Sequence, residues 1–310
     1  MKLLPIFVCF STFLQASLSI PLWASKPQPV DLEFICTTIF DPNNKDFKHD
    51  DVPVILLHGL TGNKESWHGV YEVIALETRK KVCAVDLRNH GQSPWNDKEY
   101  DVVAMTEDVK HLMDRIDAPK AIVLGHSLGG RIAVHLALNY PERVEKVIVE
   151  DMRPNGITPK GLKGVQFYSF VLKEIEKLIP QGVTEKEAKK HVLALLTDHL
   201  AKLNITYQLN DPNLIPVKCS NGKCQLSTNP VLLDAALRNI TDLLNTSSGR
   251  FDGPALFIYG TESSIKVGED ESNIKKLFPQ AKLVPVEGAD HIVHTFKKFA
   301  SEVVKFLNTA

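Results

Sequence analysis

The chain has 310 residues, with 36 Lys and Arg against 37 Asp and Glu and a formal net charge of −1. Apolar residues make up 44% and charged residues 24%, ordinary globular usage that excludes a collagen-like or wholly disordered chain. Near-neutrality gives no charge basis for a nucleic-acid partner, and the length suits either two domains or one large α/β core with an insertion.

Lys2 is followed by an apolar run from Leu3 to Leu18, the pattern of a secretory signal. Ser17 and Ser19 suit cleavage after residue 19, and Ala24 offers a second site. The alternative is an uncleaved signal anchor, although Pro5 and Pro21 bracket a span short for a bilayer. No later stretch is long and apolar enough to span, so stable membrane insertion is not expected. The expected location is the secretory lumen or the outside of the cell.

Beyond that segment, Leu32 to Phe40 reads as a first strand and 41–51 as a polar turn. Val52 to Leu57 is an apolar run of the kind found in buried parallel strands. A helix at 64–78, a strand at 81–85, a helix at 106–116, a strand at 121–124, a helix at 128–139 and a strand at 144–149 follow. This alternation predicts an α/β fold, a mostly parallel sheet with helices on both faces. Cys83, in a β-rich run, reads as a buried small apolar residue, and Cys36 as similar or unpaired.

The pattern breaks after Asp151. Helices are expected at 165–178, 184–200 and 229–244, with no buried-strand run between 155 and 248. Three glycosylation acceptors fall here, led by Asn204, Asn239 and Asn245. Cys219 and Cys224 flank an Asn-Gly turn and read as a small hairpin disulfide. The strand pattern resumes at 253–259, followed by a helix near 270–278, a strand at 281–286 and a helix at 294–307. The expected organisation is a signal at 1–19, a core at 30–152 and 251–310, and a mostly helical cap at 153–250.

Gly125-His126-Ser127-Leu128-Gly129, with Gly130 behind it, sits where a buried strand ends and a small-residue helix begins. A Ser on such a sharp turn projects its hydroxyl above the sheet, which marks Ser127 as a nucleophile. The backbone N–H groups of Leu128, directly after it, and of Leu60, in the loop His58-Gly59-Leu60-Thr61-Gly62, are the expected oxyanion donors.

Together with Asp86-Leu87-Arg88-Asn89-His90-Gly91-Gln92-Ser93, these motifs resemble the α/β-hydrolase superfamily. The Arg-Asn-His-Gly form is similar to a narrower group containing α/β-hydrolase domain-containing protein eleven and the esterase YbfF. The resemblance covers about residues 50–152 and 253 to the end. It implies a catalytic His in the loop after the last strand. His291, in Gly288-Ala289-Asp290-His291, is that residue, with His294 a competitor one turn on.

Many relatives place the triad acid four residues into the loop after the strand ending at Tyr259, where this chain has Ser263. In the narrower group the acid follows the preceding sheet strand, which here means Asp151; Glu262 is the alternative and Glu150 a weaker one. Asp86 and Arg88 read as structural, held by an ion pair or by loop hydrogen bonds, and Trp67 and Trp95 as either acyl-site or core aromatics. His126 is expected to support the turn at Ser127, and His90 to pack in its loop.

The function expected is serine-dependent hydrolysis of carboxylic esters or related acyl compounds through an acyl-enzyme, with no cofactor or metal. Lipid-directed lipase or thioesterase activity is the alternative. A non-catalytic member of the fold that binds a hydrophobic ligand is a third reading. The relatives named are intracellular, so the secretory N-terminus is a departure from them.

Overall fold

The computed structural model describes residues 27–38, 50–95, 99–164, 174, 176–202, 212–231, 233, 234, 240 and 248–309. The expected signal at 1–19, the acceptors Asn204, Asn239 and Asn245, and most of the helices expected at 165–178 and 229–244 lie outside these residues.

In chain order the strands are β1 (Phe34–Thr37), β2 (Asp50–Leu57), β3 (Lys80–Val85), β4 (Ala121–His126) and β5 (Val144–Glu150), then the hairpin β6 (Val217–Ser220) and β7 (Lys223–Leu226), and finally β8 (Ala255–Gly260) and β9 (Ala281–Val286). The helices are α1 (Val70–Thr78), α2 (Val102–Arg115), α3 (Leu128–Asn139), α4 (Glu185–Lys202), α5 (Glu271–Leu277) and α6 (Lys297–Leu307). Seven strands form one sheet in the order β1-β3-β2-β4-β5-β8-β9. Among the described residues of this sheet, only β1 runs antiparallel to its neighbour.

The apolar runs are buried because helices cover both faces of this sheet. Every residue of β4 is buried. On one face Val102, Met105 and Val109 of α2, Ile132 of α3 and Ile274 of α5 pack against Ile55, Val123 and Phe257. On the other, Ile74 of α1 and Phe299, Val303 and Phe306 of α6 cover Leu56, Leu124 and Ile258.

Two helix starts differ from expectation for local reasons. Asp101 caps α2 by accepting a hydrogen bond from Ala104 N–H at 2.8 Å, so the helix begins at Val102 rather than near 106. The helix expected at 64–78 is split: Asn63 caps a separate turn at Lys64–Trp67, and Gly69 (φ 81°) interrupts the chain before α1.

Between β5 and β8 the chain leaves the sheet and builds the cap. Val192 and Leu196 of α4 pack with Ile215, with Val217 and Leu226 of the hairpin, and with Ile292. Because Ile292 follows His291 directly, the insertion rests on the loop that carries that histidine. It is also tied to the loop after β3, through Gly91 N–H to Ser227 O at 2.8 Å and Asn229 N–H to Asn89 O at 2.9 Å.

Cys219 and Cys224 are joined by a disulfide across the β6–β7 hairpin, as the Asn-Gly turn implies. Cys36 and Cys83 are also joined, which corrects the reading of Cys83 as a buried apolar residue and Cys36 as unpaired. The reason is strand register: β1 pairs with β3 so that Cys36 lies directly opposite Cys83. The bond links residues 47 apart. Replacing both with Ala should lower the unfolding free energy by roughly 2–4 kcal/mol, because the unfolded chain regains the freedom of that loop. Urea denaturation under oxidising conditions measures this, and an unchanged midpoint would refute it.

Candidate active site

The functional groups collect at the carboxyl ends of the strands, where open parallel sheets bind ligands. Ser127 sits between β4 and α3 at φ 52° and ψ −112°, a backbone conformation costing on the order of 1–3 kcal/mol in a non-glycine residue. The sequence permits this because glycine flanks it. A Cβ on Gly125 would lie 2.1 Å from Gly129 O, and one on Gly129 would lie 2.1 Å from Leu57 O. The first turn of α3 therefore presses against the end of β2, where Gly129 N–H donates to His58 O at 3.1 Å.

Ser127 and His291 meet across this edge, with Ser127 Oγ 2.9 Å from His291 Nε2. His291 Nδ1 lies 2.7 Å from Asp151 Oδ2. Asp151 is fully buried at the end of β5 and has φ 45°, which turns its side chain back over the sheet edge. Its Oδ1 accepts from Gly260 N–H at 3.1 Å, and its Oδ2 accepts from Ser263 Oγ at 2.5 Å. Burial alone would lower the His291 pKa, but the Asp151 hydrogen bond and the charges of Asp151, Glu150 and Asp290 raise it above the ordinary 6.5. Burial likewise pushes the Asp151 carboxyl up, against the pull of its three donors.

The alternatives are positioned elsewhere. Glu262 is exposed, and its contact to the neighbouring loop is a backbone one, Glu262 N–H to Ala289 O. Glu150 bonds to His294 rather than to the His291 ring, with His294 Nδ1 2.9 Å from Glu150 Oε1. His294 is thus one member of a buried couple beside the site rather than a partner of Ser127. Trp67 is fully buried against His294, with ring centroids 4.8 Å apart, which makes it a core aromatic; Trp95 is half exposed.

The loop after β3 is held by hydrogen bonds within the loop, such as Gln92 N–H to Asp86 Oδ2 at 2.9 Å, and by ion pairs to other elements rather than one between Asp86 and Arg88. Asp86 pairs with Lys64 Nζ at 2.5 Å, and Arg88 pairs instead with Asp108 at 2.5 Å. Separation in sequence conceals both pairs, because Lys64 and Asp108 come from other elements. His58 donates from Nδ1 to Gly59 O at 2.7 Å and accepts Leu87 N–H at Nε2, so it is a neutral strut. Burial pushes its pKa down to about 3, and pushes those of His90 to about 4 and His126 to about 3. His126, expected to support the turn at Ser127, has its Nε2 2.9 Å from His291 O in the loop that carries the base.

Ser127, His291 and Asp151 form the Ser-His-carboxylate arrangement of serine-dependent esterases and lipases, hydrolases that act on esters. Residues 52–298 match the family described as alpha/beta hydrolase fold, and the chain belongs to it. An sn-1-specific diacylglycerol lipase, ABHD11, of Danio rerio is 30% identical over 267 residues, covering 84% of this chain and 80% of that one. An ethanol acetyltransferase 1 of Cyberlindnera jadinii is 28% identical over 284 residues, covering 86% and 82%. Among solved structures, a marine microorganism esterase superposes with TM-score 0.71 at 25% identity, over 89% of this chain and 99% of that one.

Ser263 is the residue whose part sequence reasoning missed, although a hydroxyl residue where an acid was expected was its signal. Ser263→Ala removes one donor to the buried carboxylate. It should lower kcat for ester turnover roughly tenfold, the loss of one hydrogen bond to a charged group worth about 1.5 kcal/mol, with little change in KM. Turnover at the wild-type rate would refute this.

Proposed function

We propose that this chain hydrolyses acyl esters with Ser127 as nucleophile, His291 as general base and Asp151 as the acid that orients it. The observation that carries the reading is the continuous relay Ser127 Oγ–His291–Asp151 at 2.9 and 2.7 Å. His291 takes the Ser127 proton as the hydroxyl attacks the ester carbonyl. The oxyanion is held by the N–H groups of Leu60 and Leu128, the second at the start of α3 where the helix dipole adds to it. His291 protonates the leaving alcohol, then activates the water that frees the acid and regenerates Ser127. No cofactor takes part.

The substrate class is a lipid ester with an apolar acyl chain. The diacylglycerol-lipase relative supports this choice, as does an insertion whose apolar cluster reaches Ile292 beside the base. In this reading the cap spans 153–250, between core segments at 30–152 and 251–310. We also propose that the signal at 1–19 directs the chain into the secretory pathway, where Asn204, Asn239 and Asn245 are glycosylated. Two disulfides, Cys36–Cys83 and Cys219–Cys224, favour an oxidising compartment.

Fluorophosphonate labelling tests the chemistry. Wild type and Glu262→Gln should label and turn over p-nitrophenyl esters, while Ser127→Ala should do neither. His291→Ala and Asp151→Asn should lose at least roughly a thousandfold in kcat/KM. Labelling of Ser127→Ala, or full activity in Asp151→Asn, would overturn the assignments. Because only neutral His291 is a base, kcat/KM should rise with pH through an ionisation above the ordinary histidine value of 6.5. N-terminal sequencing of protein from culture medium should start near residue 20 or 25, whereas an intact Met1 would refute cleavage.

A further inference from the structure

A second histidine–carboxylate couple lies beside the first. Glu150 is the last residue of β5, fully buried, and adjoins Asp151 in sequence while pointing to the other side of the strand. Its Oε1 accepts the His294 backbone N–H at 2.7 Å, and its two oxygens lie 2.9 and 3.0 Å from His294 Nδ1. The carboxylate therefore grips both the backbone and the ring of a residue three positions after His291. Trp67 packs on the His294 ring from outside, at 4.8 Å between centroids.

A second grip acts on the same loop. His126, at the end of β4, has Nε2 2.9 Å from His291 O, and its ring lies 4.8 Å from the His291 ring and 5.4 Å from that of His294. The loop bearing His291 is thus fastened at that residue and again three residues beyond it, to the ends of two adjacent central strands. A carboxyl group so completely buried is costly to ionise unless neighbouring donors compensate the charge. Burial pushes the Glu150 carboxyl up, but His294 above all, then His126, hold it below the usual carboxylate range.

We propose that Glu150 and His294 are positioning residues for the hydrolysis assigned above. They fasten the His291 loop to β5 and place a fixed negative charge beside the imidazolium that forms in the transition state. The inference rests on Ser127 and His291 being the nucleophile and base. The charged and titratable groups around His291 are Asp151 and Glu150 from the end of β5, His126 from β4, Asp290 from its own loop and His294 from the following turn. Those around Glu150 are His294 and His126.

Glu150→Gln separates charge from shape, because the amide oxygen still accepts the His294 N–H. It should lower the plateau kcat by roughly tenfold to a hundredfold through misplacement of the base. It should also shift the acid limb of kcat/KM to lower pH, since His291 loses a charge that raises its basicity. Glu150→Asp keeps the charge and should keep the limb while losing kcat. Active-site titration with the fluorophosphonate normalises every rate to folded enzyme. If Glu150→Gln yields no folded protein, the double variant Glu150→Gln/His294→Gln preserves a neutral hydrogen-bonded pair and should show the same limb shift. An acid limb identical to wild type in folded uncharged variants overturns the proposal. Labelling that persists in Ser127→Ala would instead overturn the reading on which it rests.

Discussion

The first turn of α3 lies against the end of β2 with no room for a side chain between them, and the site is built around that approach. Glycine at 125 and 129 removes the two Cβ atoms that would collide with backbone about 2 Å away. The hydrogen bond from Gly129 N–H to His58 O then fixes the separation. Ser127 is consequently lifted to its strained backbone angles at the start of α3. Packing of Leu128 and Ile132 with Leu57, Val123 and Val149 supplies stability that offsets the strain. A site that develops negative charge in its transition state gains from donors held in advance, since little reorganisation then accompanies the reaction.

Around that approach, the loops at the carboxyl edge are held by buried charged side chains as well as by apolar packing. Asp86 with Lys64 and Arg88 with Asp108 are ion pairs, and Glu150 is hydrogen-bonded to His294, each joining residues from different elements. Such pairs contribute little net stability, because desolvation of the charges cancels much of their attraction. Their value here is geometric: an uncompensated buried charge is so unfavourable that alternative loop positions are excluded. The Arg88–Asp108 pair also reaches the N-terminal segment, where Asp108 Oδ1 accepts Val30 N–H at 2.8 Å. Histidine serves the same purpose without charge at His58 and His90, whose ring nitrogens bond to backbone and whose burial keeps them neutral.

How much of this was legible in the sequence depends on whether the signal was local. The strand-turn-helix around Ser127 was readable because the apolar run, the serine and the glycines are contiguous, and α3 spans the residues its periodicity indicates. The parallel sheet followed from alternation of short apolar runs with helices. Asp151 and His291 were reached only through resemblance, since nothing near either residue states that they meet across 140 positions. The Cys36–Cys83 bond was missed because it depends on β1 pairing with β3, a register that neither strand reveals alone. The Glu150–His294 couple did leave a trace, an acidic residue closing an apolar strand, but its partner lies 144 residues away.

The transfer of the triad acid from one strand end to another is permitted by the sheet order. Strands β5 and β8 are parallel neighbours, with Glu150 opposite Ile258, so their carboxyl ends open side by side beneath His291. A carboxylate leaving either strand is therefore within reach of the same Nδ1. With the acid on β5, the loop after β8 is left with Ser263, and its hydroxyl turns from a vacant position into a donor to Asp151. The backbone of that loop contributes as well, through Gly260 N–H. Both strands thus still serve the imidazole, one with the charge and the other with the hydrogen bonds that fix the charge in place. This division also explains why Glu150 stands beside Asp151: alternate faces of one strand end carry the two carboxylates, one bonded to the base and the other to the loop that bears it.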